Sequence, residues 1–380
     1  MNSSREPGRR ATTPVRAAIN AAGASALVTA ALVLTTADVA ADTEHAAGDP
    51  PRPDSHAPIG VMGEHTHAKG EWMLSYRFMH MDMAGNRVGT DSILPEQIAT
   101  SEPNPFFGIP GQPSTLRVVP TSMTMDMHMF GLMYAPSDRV TLMLMTHWTE
   151  KEMDHVTFAG GMGTERLGTF TTRTSGIGDS SVTGLVTLWR TERASLHANL
   201  GVDLPTGSTT ERGEILTPMG MRPSPRLPYP MQLGSGSVSG IFGLTHNWRR
   251  QNFSGGSQWR SLVRLNENDE DYTLGDEHRI TTWGAWRFAP RFSLSARLEG
   301  FRRGNVDGID PAIVAPVQTA DPDRQKVRRV DFGLGLNFAP GGALAGHRLA
   351  LEWIKPVYQK LDGPQLENDW TITAGWQYAF

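Results

Sequence analysis

The chain has 380 residues, a formal net charge of −4 and no cysteine, which excludes a disulfide framework, a CxxC redox site and a thiolate metal centre. Its balanced charge offers no polyanion-binding surface, so nucleic acid is not an expected partner. Length alone allows two soluble domains or one large all-β domain, and 39% hydrophobic residues beside 40 glycines and 26 prolines favour the second.

At the amino terminus, Arg5, Arg9, Arg10 and Arg16 accompany an apolar, alanine-rich run from Ala17 to Leu34. Val39-Ala40-Ala41 then supplies the small-residue pattern of a signal peptidase site, so residues 1–41 are expected to be a signal peptide. Residues 42–69 are polar, carry Pro50, Pro51, Pro53 and Pro58, and read as a flexible periplasmic lead-in. No later segment could be a transmembrane helix, so a membrane role demands a closed barrel.

From Gly70 onward, segments of roughly ten to fifteen residues alternate apolar with polar side chains, the period of a strand with two different faces. Leu196, Ala198, Leu200 and Val202 alternate with His197, Asn199, Gly201 and Asp203. Phe292, Leu294, Ala296 and Leu298 alternate with Ser293, Ser295, Arg297 and Glu299. In the last segment Trp370, Ile372, Ala374, Trp376, Tyr378 and Phe380 oppose Thr371, Thr373, Gly375, Gln377 and Ala379. Short turns near Pro136, Arg190, Arg249, Pro290 and Pro340 interleave with longer polar stretches that include Ala84 to Arg117, Lys151 to Gly168 and Pro205 to Pro230. Residues 70–380 are therefore expected to form an all-β, transmembrane antiparallel up-and-down β-barrel of about twelve strands in the bacterial outer membrane. Tryptophans near strand ends fit interfacial girdles. The competing fold, a soluble β-sandwich or lipocalin-like barrel, would bury the apolar faces inside. The expected surroundings are outer-membrane lipid and lipopolysaccharide, with Phe380 addressing the barrel-insertion machinery.

Three motifs go further: Ser175-Gly176-Ile177-Gly178-Asp179, Asp203-Leu204-Pro205-Thr206-Gly207 and Leu233-Gly234-Ser235-Gly236-Ser237. In that order they resemble an outer-membrane family of transporters assigned to the meta-cleavage pathway of phenol degradation. The resemblance covers mainly residues 170–380 and implies passage of a small, often aromatic, solute without catalytic residues. A G-x-S-x-G elbow, an HExxH helix and a P-loop are all missing from the sequence, and no enzyme is expected.

Fourteen of the 18 methionines fall between Met62 and Met162. Alternation places Arg77, Met79, Met81 and Met83 on the lumenal face of the first strand and Met143, Met145 and His147 on that of the third. On the strand between them, polarity assigns Asp126 and His128 to the lumen. Thioether and imidazole suit copper, so these residues with His65 and His67 form an alternative, copper-binding reading. The plainer reading takes methionine as an adaptable apolar lining. Elsewhere Arg260, Arg264, Arg287, Arg297, Glu299, Arg329, Asp331 and Glu352 are expected to line the pore with Arg77, either as a field that selects permeants or as salt bridges filling a narrow lumen.

Overall fold

The computed structural model describes residues 52–380, so the expected signal peptide and the first part of the lead-in lie outside the described residues. The strands are β1 (Trp72–Gly89), β2 (Asp91–Ile93), β3 (Val118–Ser137), β4 (Val140–Phe158), β5 (Arg166–Ile177), β6 (Ser180–Arg190), β7 (Ala194–Leu204) and β8 (Ser239–Arg250). They continue as β9 (Phe253–Arg264), β10 (Tyr272–Thr273), β11 (Glu277–Ala289), β12 (Phe292–Arg303), β13 (Asp307–Gly308), β14 (Val327–Phe338) and β15 (His347–Ala379). A short helix, α1 (Pro95–Ser101), sits in the first long loop.

Eleven of these elements close a ring, β1-β3-β4-β6-β7-β8-β9-β11-β12-β14-β15 and back to β1, with every pairing antiparallel. A ring of purely antiparallel neighbours needs an even number of passes, and β15 resolves the parity. Its 33 residues would extend roughly 110 Å if straight. Instead Leu349–Leu361 pairs with β14 and Leu361–Ala379 pairs with β1. The two halves touch where Arg348 Nη1 donates to Gln377 Oε1 at 2.6 Å and Gln359 Nε2 donates to the Asn368 carbonyl at 2.9 Å. The element therefore folds back on itself, and the wall is crossed twelve times. β5 continues the line of β6 along β4, and reciprocal 2.9 Å backbone bonds between Trp72 and Phe380 bring the barrel's two ends together.

The faces are inverted relative to a soluble protein, which decides against the lipocalin-like alternative. On β12, Leu294 and Leu298 are 47% and 48% exposed, whereas Ser293, Arg297 and Glu299 are buried. Exposed apolar strand residues belong in lipid. Trp72, Trp148, Trp189, Trp248, Trp286 and Trp353 are exposed on this outer surface.

At one end the passes are joined by tight turns, such as that between Ser137 and Val140. At the other end the loops pack together: Phe106, Phe170, Leu216, Tyr229, Tyr272, Val306 and Ile313 share one apolar cluster. Arg117, fully buried, ties this end by donating to the carbonyls of Ala99, Ala159, Gly160, Met162 and Gly163. β1 and β4 run on to Gly89 and Phe158, past the loop starts expected at Ala84 and Lys151. Beyond the aromatic belt both faces of a strand are polar, so alternation fades before pairing ends.

The described part of the expected lead-in is a folded insert, which corrects the flexible reading for residues 52–69. Ser254 and Ser293 donate to the carbonyls of Asp54 and Pro53, and Arg348 Nη2 reaches the Ala57 carbonyl at 2.6 Å. The chain rises to Gly60, whose N–H donates to Glu352 Oε2 at 2.8 Å. It returns through Gly63 and Glu64, whose carbonyls accept from His197, Asn199 and Asn247, to His67, whose N–H donates to Thr141. A segment without periodicity stays buried because strand side chains satisfy its backbone groups.

Candidate lumenal site

Three neighbouring strands build one wall of the lumen. Register sets Met73 opposite Met133 and Met133 opposite Met143, then Met79 opposite Met127, Met81 opposite Met125, and Met83 opposite Met123, itself opposite Met153. Because alternate residues share a face, these pairs stack into a methionine track along the barrel. Met73, Met133, Met143 and Met145 pack together at the turn end, and Met83, Met123, Met153 and Met231 at the loop end.

The facing wall carries an ion ladder. Arg297 donates through Nε to Glu352 at 2.7 Å and through Nη1 to Glu299 at 2.8 Å. Glu299 also accepts from Arg279 at 2.9 Å and from Thr281 Oγ1 at 3.1 Å, and Arg279 continues to Glu277 at 3.2 Å. Beside it Arg329 donates to Asp331 at 2.8 Å, and the Arg279 guanidinium lies 4.2 Å from the centre of the Phe301 ring.

Between the walls lies a cavity of about 270 Å³, floored by Ile59–Met62 of the insert. Met79, Met81, Met127 and Met129 line one side, and Arg260, Arg279, Arg297, Glu299, Arg329 and Asp331 the other. Gly60 leaves room for the ladder, since a Cβ there would stand 2.7 Å from Glu352 and 2.9 Å from Arg297 and would push their side-chain ends aside.

Of the expected pore-lining set, Arg77, Arg260, Arg297, Glu299, Arg329 and Asp331 reach this cavity, and Arg77 Nη1 donates to Met62 Sδ at 3.8 Å. Glu352 sits beneath the floor. Arg264 lies towards the loop end, donating to Ser239 Oγ at 3.0 Å, and Arg287 lies at the turn end, donating to Asn252 at 2.8 Å. The structure adds Glu277 and Arg279, which the alternation that includes Arg287 reaches through Ala285, Trp283 and Thr281.

The residues of the copper reading do not form one patch. Met79 and Met81 belong to the cavity, Met83 packs beneath the loops, and His147 lies inside the wall against Gly178. Asp126 and His128 face outward, correcting the lumenal assignment. Asp126 Oδ1 is 2.5 Å from His80 Nδ1 and His128 Nδ1 is 2.8 Å from the Tyr76 hydroxyl, while His80 packs against Trp370. These polar groups stand at the level of the belt tryptophans, where a hydrogen-bonded imidazole meets headgroups and water.

His65 and His67 do meet other ligand-type groups, in the insert. His56 Nδ1 lies 3.2 Å and His65 Nδ1 2.8 Å from Glu64 Oε1, and His65 Nε2 lies 3.2 Å from His67 Nε2. Burial holds the His56 and His65 imidazoles below their ordinary range. Burial would raise Glu64, but the two histidines outweigh it and keep its carboxyl well below the usual value.

The three motifs converge at the break between β5 and β6. Asp179 accepts through Oδ1 from the Gly207 N–H at 3.1 Å and through Oδ2 from the Ser235 N–H and hydroxyl at 2.9 and 2.6 Å. Thr206 Oγ1 donates to the Gly178 carbonyl at 2.7 Å. Gly207 and Gly234 approach so closely that a Cβ on either would fall within 2.6 Å of the other's backbone. The glycines thus let the long loop after β7 lie against the wall, with Asp179 as its anchor.

A profile of the family named for the MetA pathway of phenol degradation matches residues 140–349. Among solved structures, an outer membrane channel from Pseudomonas putida F1 shares the fold at 13% identity and a TM-score of 0.56, covering 85% of this chain and all of its own. The beta domain of the Bordetella autotransporter BrkA gives 12% identity and a TM-score of 0.43 over 82% of this chain and 100% of its own. The P. putida toluene transporter TodX gives 10% and 0.37 over 82% of this chain and 89% of its own. No curated protein matches the sequence.

Proposed function

This chain belongs to the phenol-degradation MetA-pathway family and is an outer-membrane β-barrel of channel type; on that premise we propose that it passes small hydrophobic or aromatic solutes, and that it does so without catalysis. The observation that carries the proposal is the 270 Å³ cavity with its methionine side. A dry apolar cavity of about 150 Å³ already admits benzene, so one substituted ring fits here with space to move. Methionine is flexible and polarisable, makes favourable contacts with aromatic rings, and adapts to more than one shape. On the opposite wall Arg279, Arg297, Glu299 and Glu352 pair with one another, so much of that wall's charge is neutralised within it.

The insert floor and the packed loops narrow both approaches to the cavity, which favours passage of single small molecules over a wide aqueous pore. In the same reading Phe380 addresses the insertion machinery, and the polar strand ends above the tryptophans meet lipopolysaccharide.

Uptake by intact cells tests the proposal. Cells making the full chain should accumulate a labelled single-ring aromatic several-fold faster than cells without it, while a labelled disaccharide stays at background. Filling the cavity with Met79→Trp/Met127→Trp should return aromatic uptake to background. Equal uptake with and without the chain, or an undiminished rate in the filled variant, would refute it.

A further inference from the structure

We propose that the lumenal insert carries a copper site in which His56 Nδ1, Glu64 Oε1 and His65 Nδ1 are the ligands. Among the described residues these three form a group able to hold one ion, with the donor atoms within 4.8 Å of one another. Donors held 2.0–2.1 Å from a shared metal stand roughly 2.9 to 3.4 Å apart for angles between square and tetrahedral. The observed separations from Glu64 Oε1, 3.2 Å to His56 and 2.8 Å to His65, approach that range before any ion has drawn the ligands in.

A second observation points the same way. His65 Nδ1 is buried and makes no hydrogen bond of acceptable geometry, despite its 2.8 Å approach to the carboxylate. Its other nitrogen faces His67 Nε2 at 3.2 Å, and His67 Nδ1 in turn lies 3.4 Å from Glu71. A ligating histidine is normally held by donating its second N–H to an acceptor that fixes tautomer and ring plane. The series His65, His67, Glu71 supplies that support, which makes His67 a positioning residue and not a ligand.

Copper is favoured over other ions on two grounds. Nitrogen and oxygen donors bind Cu(II) most tightly of the divalent first-row metals, and thioethers select Cu(I). Behind Glu64 and His65 lies a void of about 10 Å³, lined by Met73, Met133, Met143 and Met145 together with Ser75 and Arg77, with space for about one water-sized atom. The site also has a mechanical consequence. His56 lies on the limb leading to the cavity floor and Glu64 and His65 on the limb leaving it, so a bound ion would staple the loop that holds Ile59–Met62 in place.

The test is copper binding by the full mature barrel, stripped with a chelator and titrated with Cu(II) in detergent. One equivalent per chain is expected, with nitrogen hyperfine structure in the EPR spectrum. His56→Ala/His65→Ala should weaken binding about 100-fold, and Met143→Leu/Met145→Leu should weaken Cu(I) about tenfold with little change for Cu(II). Folding of each variant is checked by heat-modifiable electrophoretic mobility. Should the double variant not fold, His56→Gln alone must show a clear loss of affinity and of nitrogen coupling. Wild-type affinity in a folded variant lacking His56, or copper bound without nitrogen coupling, would overturn the site.

Discussion

The two walls of the lumen solve the same packing problem with opposite chemistry. From β1 to β4 the interior is lined mainly by methionines, with Arg77 among them. From β9 to β15 it is lined by a ladder in which Arg297 and Glu299 each serve at least two partners. A thioether wall yields to whatever is placed against it, whereas a ladder of shared ions has one good arrangement. The adaptable wall is therefore suited to hold a solute, and the ladder to keep the barrel's interior in shape.

Breaking the ladder should have the largest effect. Glu299→Ala would leave Arg279 and Arg297 without their shared carboxylate, at a cost of about 3 kcal/mol or more, as for other broken buried ion pairs. The check is the urea midpoint for unfolding of the reconstituted barrel. One residue back on the same strand, Leu298 faces lipid, and Leu298→Arg should cost about 2 to 4 kcal/mol by the same assay. Met127→Leu, on the adaptable wall, conserves volume and should cost less than about 1.5 kcal/mol. A larger loss from Met127→Leu than from Glu299→Ala would reverse the assignment of roles.

Much of this was legible in the residues. The strand alternation, the even number of passes and the inward direction of Arg297, Glu299, Met79 and Met143 all follow from period two and the spacing of turns. Polarity misplaces Asp126 and His128, because it indicates the lumen only within the lipid belt. At its edge, polar residues face out as well, and the pairing of Met127 with Met79 decides the face. The insert gave no sign of burial, since residues 52–69 have no hydrophobic period and owe their place to hydrogen bonds from distant strands. The meeting of the three glycine-containing motifs at Asp179 is likewise a matter of tertiary structure. Each motif reads alone as a turn, and only the carboxylate joining Gly207 to Ser235 shows why they occur together.

The most direct measurement is saturation binding of a labelled single-ring aromatic to the purified full barrel, with Met79→Trp/Met127→Trp and Glu299→Gln in parallel. The account predicts one saturable site, lost in the tryptophan variant and kept, with at most a few-fold change, in any folded Glu299→Gln protein. Absence of saturable binding, or binding that survives the tryptophans and disappears with Glu299, would show that the methionine wall is not where the solute sits.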